Sequence, residues 1–544
     1  MFIPVKNKRI IKIVIIAGMF IVIAGITLFK VIANGLYLSP DSYIYLDTAQ
    51  NIHDGRGIVH SFVLTSELDG WKGGDSYIPM SYWAPGFPSY IALIKSISKS
   101  ISTEMAGALC ISISFLLTLI IIVAQLTRFY NLQAGLWGLI LTLILHPVVY
   151  TYSWVWSDGT IIPLILICLW LILEGRTQHS RICFFLAGIA AGLSFSIRYV
   201  FGILLPFGWA VLIVFYLSQG NNGSWAKKCY KSMVNSTSFL IGWACLGIPI
   251  VIRNIRVTGS ILGPTRPASN ISLWQNIKYA FTPLFTEFFP PNIVPSEIQG
   301  SLLVAIILLS ILAVILRKNY GEIKQVFLNR FIIIYLCWAC VYLITILSYA
   351  SLYQIDTLGH RLLLPFIVAI IVISAILFAK LFFFPFWGMT ALSAIAMVCF
   401  CYIYPIKGEP FYTTTNYAKG NPRIEWACTN TVPTDWIIGD STFDLTLACG
   451  YHRSLCFVPG SYQDTPPDKN TFDKFFKKVS STNSRIFILI RKAVPVEKGY
   501  YDTWIQYYGE PITNLLFEGK YEQITAKNVF SGRGFVAMEI VVDR

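Results

Sequence analysis

"IIKIVIIAGMFIVIAGITLFKVIANGLYLSPDSYIYLDTAQNIHDGRG", residues 10–57, joins a long apolar run to a short polar helix. The apolar part, about 10–33, is long enough to cross a bilayer, which takes about 20 residues as a helix. Basic residues precede it, as in a secretory signal. The run exceeds the apolar core of such a signal, and no small-residue cleavage site stands out. We read it as an uncleaved first span with its N-terminus in the cytoplasm. Beyond it, Ser39 is placed to cap a helix, Pro40 suits the first helical turn and Gly55 is placed to stop it. At about 100° per residue, Asp41 shares a face with Tyr45, Thr48, Ala49 and Ile52. Asp47 falls on the other side with Gln50 and Asn51 and reads as a solvated residue. Asp41 carries two readings here: an acid favoured by the helix dipole, or a reactive group at the membrane boundary.

Working outward, the rest of the 544-residue chain repeats the apolar signal. It is 55% hydrophobic and 13% charged, against about 25% charged in a soluble protein, and its mean hydropathy is +0.62. The class is a polytopic α-helical membrane protein. About eleven spans are expected, near 10–33, 105–127, 133–150, 159–174, 182–197, 199–217, 233–252, 300–316, 331–352, 362–380 and 383–404, with a break at Arg198. The connections assigned to the cytoplasm, "EGRTQHSR", "AKKCYKS" and "RKNYGEIKQVFLNR", are short and basic, the bias that sets orientation. The same bias accounts for the formal charge of +14, and no basic tail or zinc spacing points to nucleic acid.

The expected organisation is a transmembrane domain over 1–404, with long external loops at 35–104 and 253–299, and an extracytoplasmic α/β domain over 405–544. In the latter, "DWIIGDSTFDLTLACG", "SRIFILIRKAV" and "FVAMEIVV" read as strands and "DKNTFDKFFKKV" as an amphipathic helix. Most cysteines lie in spans and behave as small hydrophobes. Cys449 and Cys456 lie close enough in the tail to bridge in an oxidising compartment. No cysteine pair sits beside His or Asp at metal spacing.

Short external loops are expected to be poor in Arg, yet Arg198, Arg253, Arg256, Arg266 and Arg361 fall at or near outer span ends. A guanidinium fork matches phosphate oxygens, so an anionic headgroup is one partner; snorkelling or pairing with a nearby acid is the other reading. Asp158 opens a span in "HPVVYTYSWVWSDGTIIPL", where Ser157 and Asp158 would serve as a helix cap or as a functional acid. The aromatics Tyr150, Tyr152, Trp154 and Trp156 suit either an interfacial belt or a wall for a sugar or lipid headgroup. His146 reads as helix-end packing.

The ordered segments "SPDSYIYLDTAQNIHDGRG", "YWAPGFPSYIAL", "YSWVWSDGTIIPLIL", "AGLSFSIRYVFGILL", "VIRNIRVTGSILGPTRPAS" and "HRLLLPFIVAI", spread over about residues 1–380, resemble the GT-C superfamily of integral membrane glycosyltransferases. The nearest branch is similar to glycosyltransferase family 39 and the aminoarabinose transferases. The resemblance implies a polyprenyl-phosphate sugar donor, transfer to a lipid, glycan or protein on the outer face of the plasma or inner membrane, and no obligatory metal or other cofactor. It implies Asp41 as catalytic base, with inversion at the anomeric carbon, and Asp158 as a supporting acid. Arg198, Arg253, Arg256, Arg266 and Arg361 are the phosphate candidates, and Tyr45 a further substrate contact. The chain departs from the pattern at Ser42, where protein mannosyltransferases and aminoarabinose transferases have a second acid beside the first. A lipid or polysaccharide flippase predicts internal repeats and charges near mid-membrane. No clear repeat is present, and the notable charges sit at span ends. A non-catalytic envelope-assembly protein is the third class.

Overall fold

The computed structural model describes residues 5–64, 77–218, 224–302 and 329–404, and in the C-terminal part 421–440, 453–457, 468–479, 484–491 and 508–542, isolated positions within these ranges excepted. A few residues outside them, among them Leu68, Leu445, Cys449 and Trp504, are described singly. In chain order the helices are α1 (Val5–Asn34), α2 (Pro40–His53), α3 (Gly86–Lys95), α4 (Thr103–Phe129), α5 (Leu132–Ile144), α6 (His146–Thr151), α7 (Ser157–Gln178), α8 (Arg181–Ile197), α9 (Leu204–Leu217), α10 (Trp225–Thr258), α11 (Leu273–Thr286), α12 (Arg330–Leu352), α13 (His360–Leu381), α14 (Phe386–Ile403), α15 (Pro422–Asn430), α16 (Lys469–Val479) and α17 (Glu510–Glu518). The strands are β1 (Val59–His60), β2 (Phe62–Leu64), β3 (Ile78–Pro79), β4 (Trp436–Asp440), β5 (Arg453–Phe457), β6 (Ile486–Arg491), β7 (Lys520–Tyr521), β8 (Ile524–Gly532) and β9 (Phe535–Val542).

Two compact units result. The first comprises Met1–Tyr37, Ser81–Phe87 and Ala108–Glu409; the second comprises Leu38–Met80, Pro88–Gly107 and Pro410–Arg544. Most of the segment 35–104 groups with the tail, because β2 supplies a strand to the tail's sheet.

Among the described residues, eight helical stretches are long and apolar enough to cross a membrane, and α5 and α8 are shorter apolar helices. The chain is a multi-pass membrane protein. The expected span 300–316 lies largely outside the described residues. The stretch 133–150 is not one helix. Leu145 adopts ψ 113° and separates α5 from α6, because Pro147 has no N–H to donate to the carbonyl of Leu143. The break at Arg198 is present: its backbone is extended (φ −149°, ψ 126°), and a 3-10 turn, Tyr199–Ile203, leads into α9.

Small residues set the closest helix contact in the first unit. A Cβ on Gly188 of α8 would lie 2.0 Å from the Phe239 carbonyl oxygen of α10, and one on Gly242 of α10 2.0 Å from that of Phe185. Bare backbones touch there, the packing that replaces a hydrophobic drive between helices in lipid. Gly242→Val is expected to force α8 and α10 apart and cost about 1–3 kcal/mol. A fluorescence melt of the detergent-solubilised protein should show it, with Gly25→Ala, whose Cβ meets nothing within 4 Å, as the neutral control.

In the second unit, α2 has its expected ends. Ser39 Oγ accepts from the Ser42 amide, Ser42 Oγ accepts from the Ser39 amide at 2.9 Å, and Gly55 holds φ +78° after the helix. The two-faced reading of α2 fails, however. Ser42 through Ala49 are all buried, Asp47 at 0% exposure. Asp47 is not solvated: its carboxylate accepts from the Ser61 amide at 2.6 Å and the Ser61 hydroxyl at 2.8 Å. Periodicity presumes one wet face, and residues 59–64 cover the face that holds Asp47.

Burial pushes the Asp47 carboxyl up to about 6, against the pull of the Ser61 hydrogen bonds. A folded value above the ordinary 3.8 of an aspartate means that this group's stabilising share is complete below pH ~4 and is lost as pH rises through 6. Subtracting the pH–stability curve of Asp47→Asn from that of the wild type should isolate this fall, at most about 3 kcal/mol.

The sheet of this unit runs β2-β5-β4-β6-β9-β8-β7, with the first four strands parallel and the rest antiparallel. Phe472, Phe475, Phe476 and Val479, spaced as one helical stripe, bury α16 in the core that holds Trp436, Ile488, Trp504 and Met538. The strands expected in "SRIFILIRKAV" and "FVAMEIVV" are β6 and β9, and α16 is the expected amphipathic helix. Part of "DWIIGDSTFDLTLACG" lies outside the described residues. The disulfide differs from the expected pair: Cys449 bonds Cys428 of α15, while Cys456 is buried within β5 and takes no part in that bond.

Candidate active site

In the first unit, the acid and two of the cations singled out by sequence form one cluster. Asp158 stands in the first turn of α7, where the helix dipole favours an acid. It is 8% exposed. The N-cap residue is Trp156, which makes no side-chain capping bond, so Ser157 does not cap the helix as one reading had it. Arg198 donates from its guanidinium to Asp158 Oδ1. Arg361 approaches Asp158 Oδ2 with Nε at 3.6 Å and donates to Asp356, an exposed acid, at 3.1 Å. Arg198 is the residue that ends α8, freed by the break in the backbone. Arg361 lies in the first turn of α13, where the dipole repels a cation, so the two carboxylates also offset that cost.

The aromatics are stacked upon one another. Tyr37 lies 4.9 Å from Trp154, Trp154 stacks on Trp156 at 4.7 Å with 6° between planes, and the Arg361 guanidinium sits 4.8 Å from the Trp156 ring centre. Backbone bonds from Tyr37 N to Ser153 O (2.9 Å) and Val155 N to Tyr37 O (3.1 Å) fix this column. Trp156 therefore shapes the position of Arg361 by cation–π contact.

Beside Arg361 lies a pair that sequence reasoning missed. His360 Nδ1 is 2.8 Å from Glu287 Oε2, and the hydrogen bond from His360 holds the Glu287 carboxyl below its usual range. Tyr150 meets His360 edge-on at 4.8 Å, and the His146 ring centre is 6.3 Å from that of His360. His146 Nδ1 lies 3.3 Å from the Glu287 carbonyl oxygen, in keeping with helix-end packing. The available signal was a lone acid in the apolar, aromatic run "TPLFTEFFPP".

A third group joins the "YWAPGF", "SIRYV" and "RNIRVTGSILG" segments. Tyr199 Oη bonds Asn254 Oδ1 at 3.0 Å, Arg253 donates to the same oxygen at 3.3 Å, and Asn254 Nδ2 donates to Ile261 O at 2.9 Å. Gly263 holds φ +89°, and a Cβ there would lie 2.8 Å from the Ser81 carbonyl oxygen; a Cβ on Gly86 would meet Ser196 O at 2.6 Å. Arg253 is thus half-buried next to the residue that follows Arg198. Arg266 is half-buried and Arg256 exposed.

Asp41 and Tyr45 belong to the second unit. Asp41 is half-buried in the first turn of α2, whose cap is made by Ser39, and Tyr45 is 4% exposed. Among the described residues, no three His, Cys, Asp or Glu side chains gather as a metal-ligand set.

No protein-family model matches the chain, and no curated protein matches it. Solved structures do. ArnT from Cupriavidus metallidurans in the apo state matches with TM-score 0.58 and 12% identity, over 96% of this chain and 97% of that one. The same protein bound to undecaprenyl phosphate gives 0.59 at 10% identity, over the same shares. The apo oligosaccharyltransferase of Archaeoglobus fulgidus gives 0.52 at 12% identity, over 96% of this chain and 74% of that one. Together with the run of membrane helices and the α/β tail, these likenesses establish that the chain has the GT-C fold, the fold it shares with these two proteins.

Proposed function

We propose that the protein is a membrane glycosyltransferase that moves a sugar from a polyprenyl-phosphate donor to an extracytoplasmic lipid, glycan or protein. The observation that carries this reading is the convergence of Arg198 and Arg361 on one buried carboxylate, Asp158, with Arg253 beside the same corner. Guanidinium groups held at the ends of membrane helices suit a phosphate that arrives from the lipid. The ArnT structure of the same fold binds undecaprenyl phosphate, which supports that class of donor.

In this mechanism Asp41 takes a proton from the acceptor hydroxyl or amine as the acceptor attacks the anomeric carbon. The bond to the phosphate oxygen breaks, the anomeric centre inverts, and the arginines stabilise the charge that develops on the polyprenyl phosphate. Asp158 holds two of the guanidiniums in place, and Arg256, Arg266 and Tyr45 are further substrate contacts. No step uses a metal. The Cys428–Cys449 bond supports an oxidising, extracytoplasmic location for the tail, with the N-terminus in the cytoplasm of a plasma or inner membrane.

The test is turnover by the purified protein in nanodiscs, given undecaprenyl phosphate bearing a radiolabelled sugar and a membrane extract as acceptor. Transfer with release of undecaprenyl phosphate is expected. Movement of the intact lipid-linked sugar across vesicles without bond cleavage would establish the transporter instead, and neither outcome would leave a non-catalytic assembly role.

A further inference from the structure

The opposite end of α7 holds a second arginine site with a different character. Asp158 and Arg176 are separated by 18 residues of helix, about 27 Å at 1.5 Å per residue, close to the thickness of the hydrocarbon core. Arg176 thus lies at the other face of the membrane from the cluster described above. It is only 8% exposed. Among the described residues no carboxylate pairs with it and no acceptor takes its N–H groups. Its neighbours include the Phe215 ring, 4.2 Å from the guanidinium carbon, the like charge of Arg330, and Tyr216. The Tyr216 hydroxyl is itself buried without a hydrogen-bond partner. Glu174, two residues away, is already engaged by Arg128 at 2.9 Å and by Gln178.

A buried guanidinium without an anion is costly, and the cost grows with a second cation nearby. Five N–H donors and one hydroxyl therefore face a place where no described residue supplies a negative, acceptor-rich group. The ends of α7, α9 and α12 converge there, and the same membrane face carries Arg181, Lys227 and Lys231 at the starts of α8 and α10. We propose that Arg176, Arg330 and Tyr216 form a binding site for a phosphate-type oxyanion, supplied by the headgroup of an anionic phospholipid in the leaflet opposite the candidate active site. Arg supplies the fork, Tyr216 a further donor, and Phe215 fixes the guanidinium plane. Basic pockets between membrane helices suit such headgroups. The site is separate from the proposed sugar transfer, and neither reading depends on the other.

The test uses the full-length protein, delipidated in a neutral detergent. Its melting temperature is measured with dioctanoyl phosphatidylglycerol, with dioctanoyl phosphatidylcholine, and with inorganic phosphate. Phosphatidylglycerol is expected to raise the wild-type melting temperature by several degrees and phosphatidylcholine by much less. In Arg176→Met that rise should disappear, while the lipid-free variant melts at or above the wild-type temperature because an uncompensated charge has gone. Arg330→Gln, on an exposed side chain, should fold in any case and weaken the response several-fold. A response to inorganic phosphate as large as to the lipid would support the oxyanion site and make the soluble ion its source. Equal phosphatidylglycerol shifts in the wild type and both variants would overturn the proposal. So would an Arg176→Met protein that melts lower yet keeps the full shift, since that is the signature of a packing role alone.

Discussion

Asp41→Asn is expected to lower sugar transfer by about 10²–10⁴-fold while leaving the protein folded, the range typical of a lost general base. The reasoning begins with the ends of α2. Its first amides are served by the reciprocal Ser39–Ser42 pair, so the helix start does not depend on the carboxylate of Asp41. Asn preserves the size of the side chain and removes its basicity. The loss should therefore fall on kcat and leave KM for the donor nearly unchanged, because proton removal contributes in the transition state. Steady-state transfer and a melt of the same preparation read both halves. Full transfer by a folded Asp41→Asn protein would show that another group, or none, removes the proton.

Asp158→Ala is expected to destabilise the protein by about 3 kcal/mol, the lower end of the cost of breaking a buried ion pair. The lower end applies because Arg198 and Arg361 keep 23% and 17% side-chain exposure. Without the carboxylate, two guanidiniums face each other at the ends of α8 and α13. Adding Arg198→Gln should return part of the loss, and the double-mutant cycle measures the pair directly. If the cluster receives a phosphate, undecaprenyl phosphate should stabilise Asp158→Ala more than the wild type, since it would replace the missing negative charge. Stabilisation of both proteins to the same degree would argue against the cluster as a donor subsite.

Features written within a few residues were legible. The cap at Ser39, the Gly55 stop, the break at Arg198 and the stripe of Phe472, Phe475 and Phe476 all depend on local geometry, and all are present. Features made by distant segments were not. Asp47 is polar at a position that periodicity assigns to solvent, and only the arrival of Ser61 buries it. Cys449 has a nearer neighbour in sequence in Cys456, yet α15 brings Cys428 to it. The arginines Arg198 and Arg361 were identifiable one by one as misplaced charges; that both share Asp158 is a property of three helices meeting. Glu287 escaped notice because its partner His360 lies 73 residues away.

Strand β2 gives the chain an order of assembly. Phe62–Leu64 pair with Ser454–Cys456, so the edge of the tail's sheet leaves the ribosome about 390 residues before the strand it joins. At about 5–20 residues per second, that is a wait of roughly 20–80 s with exposed ladder groups. The tail expressed alone would in turn present β5 as a bare edge, an invitation to pair with another molecule. A soluble fragment starting near residue 405 should therefore aggregate unless residues 59–64 are supplied as a peptide, and the segment after α2 is best regarded as the tail's missing piece, made early.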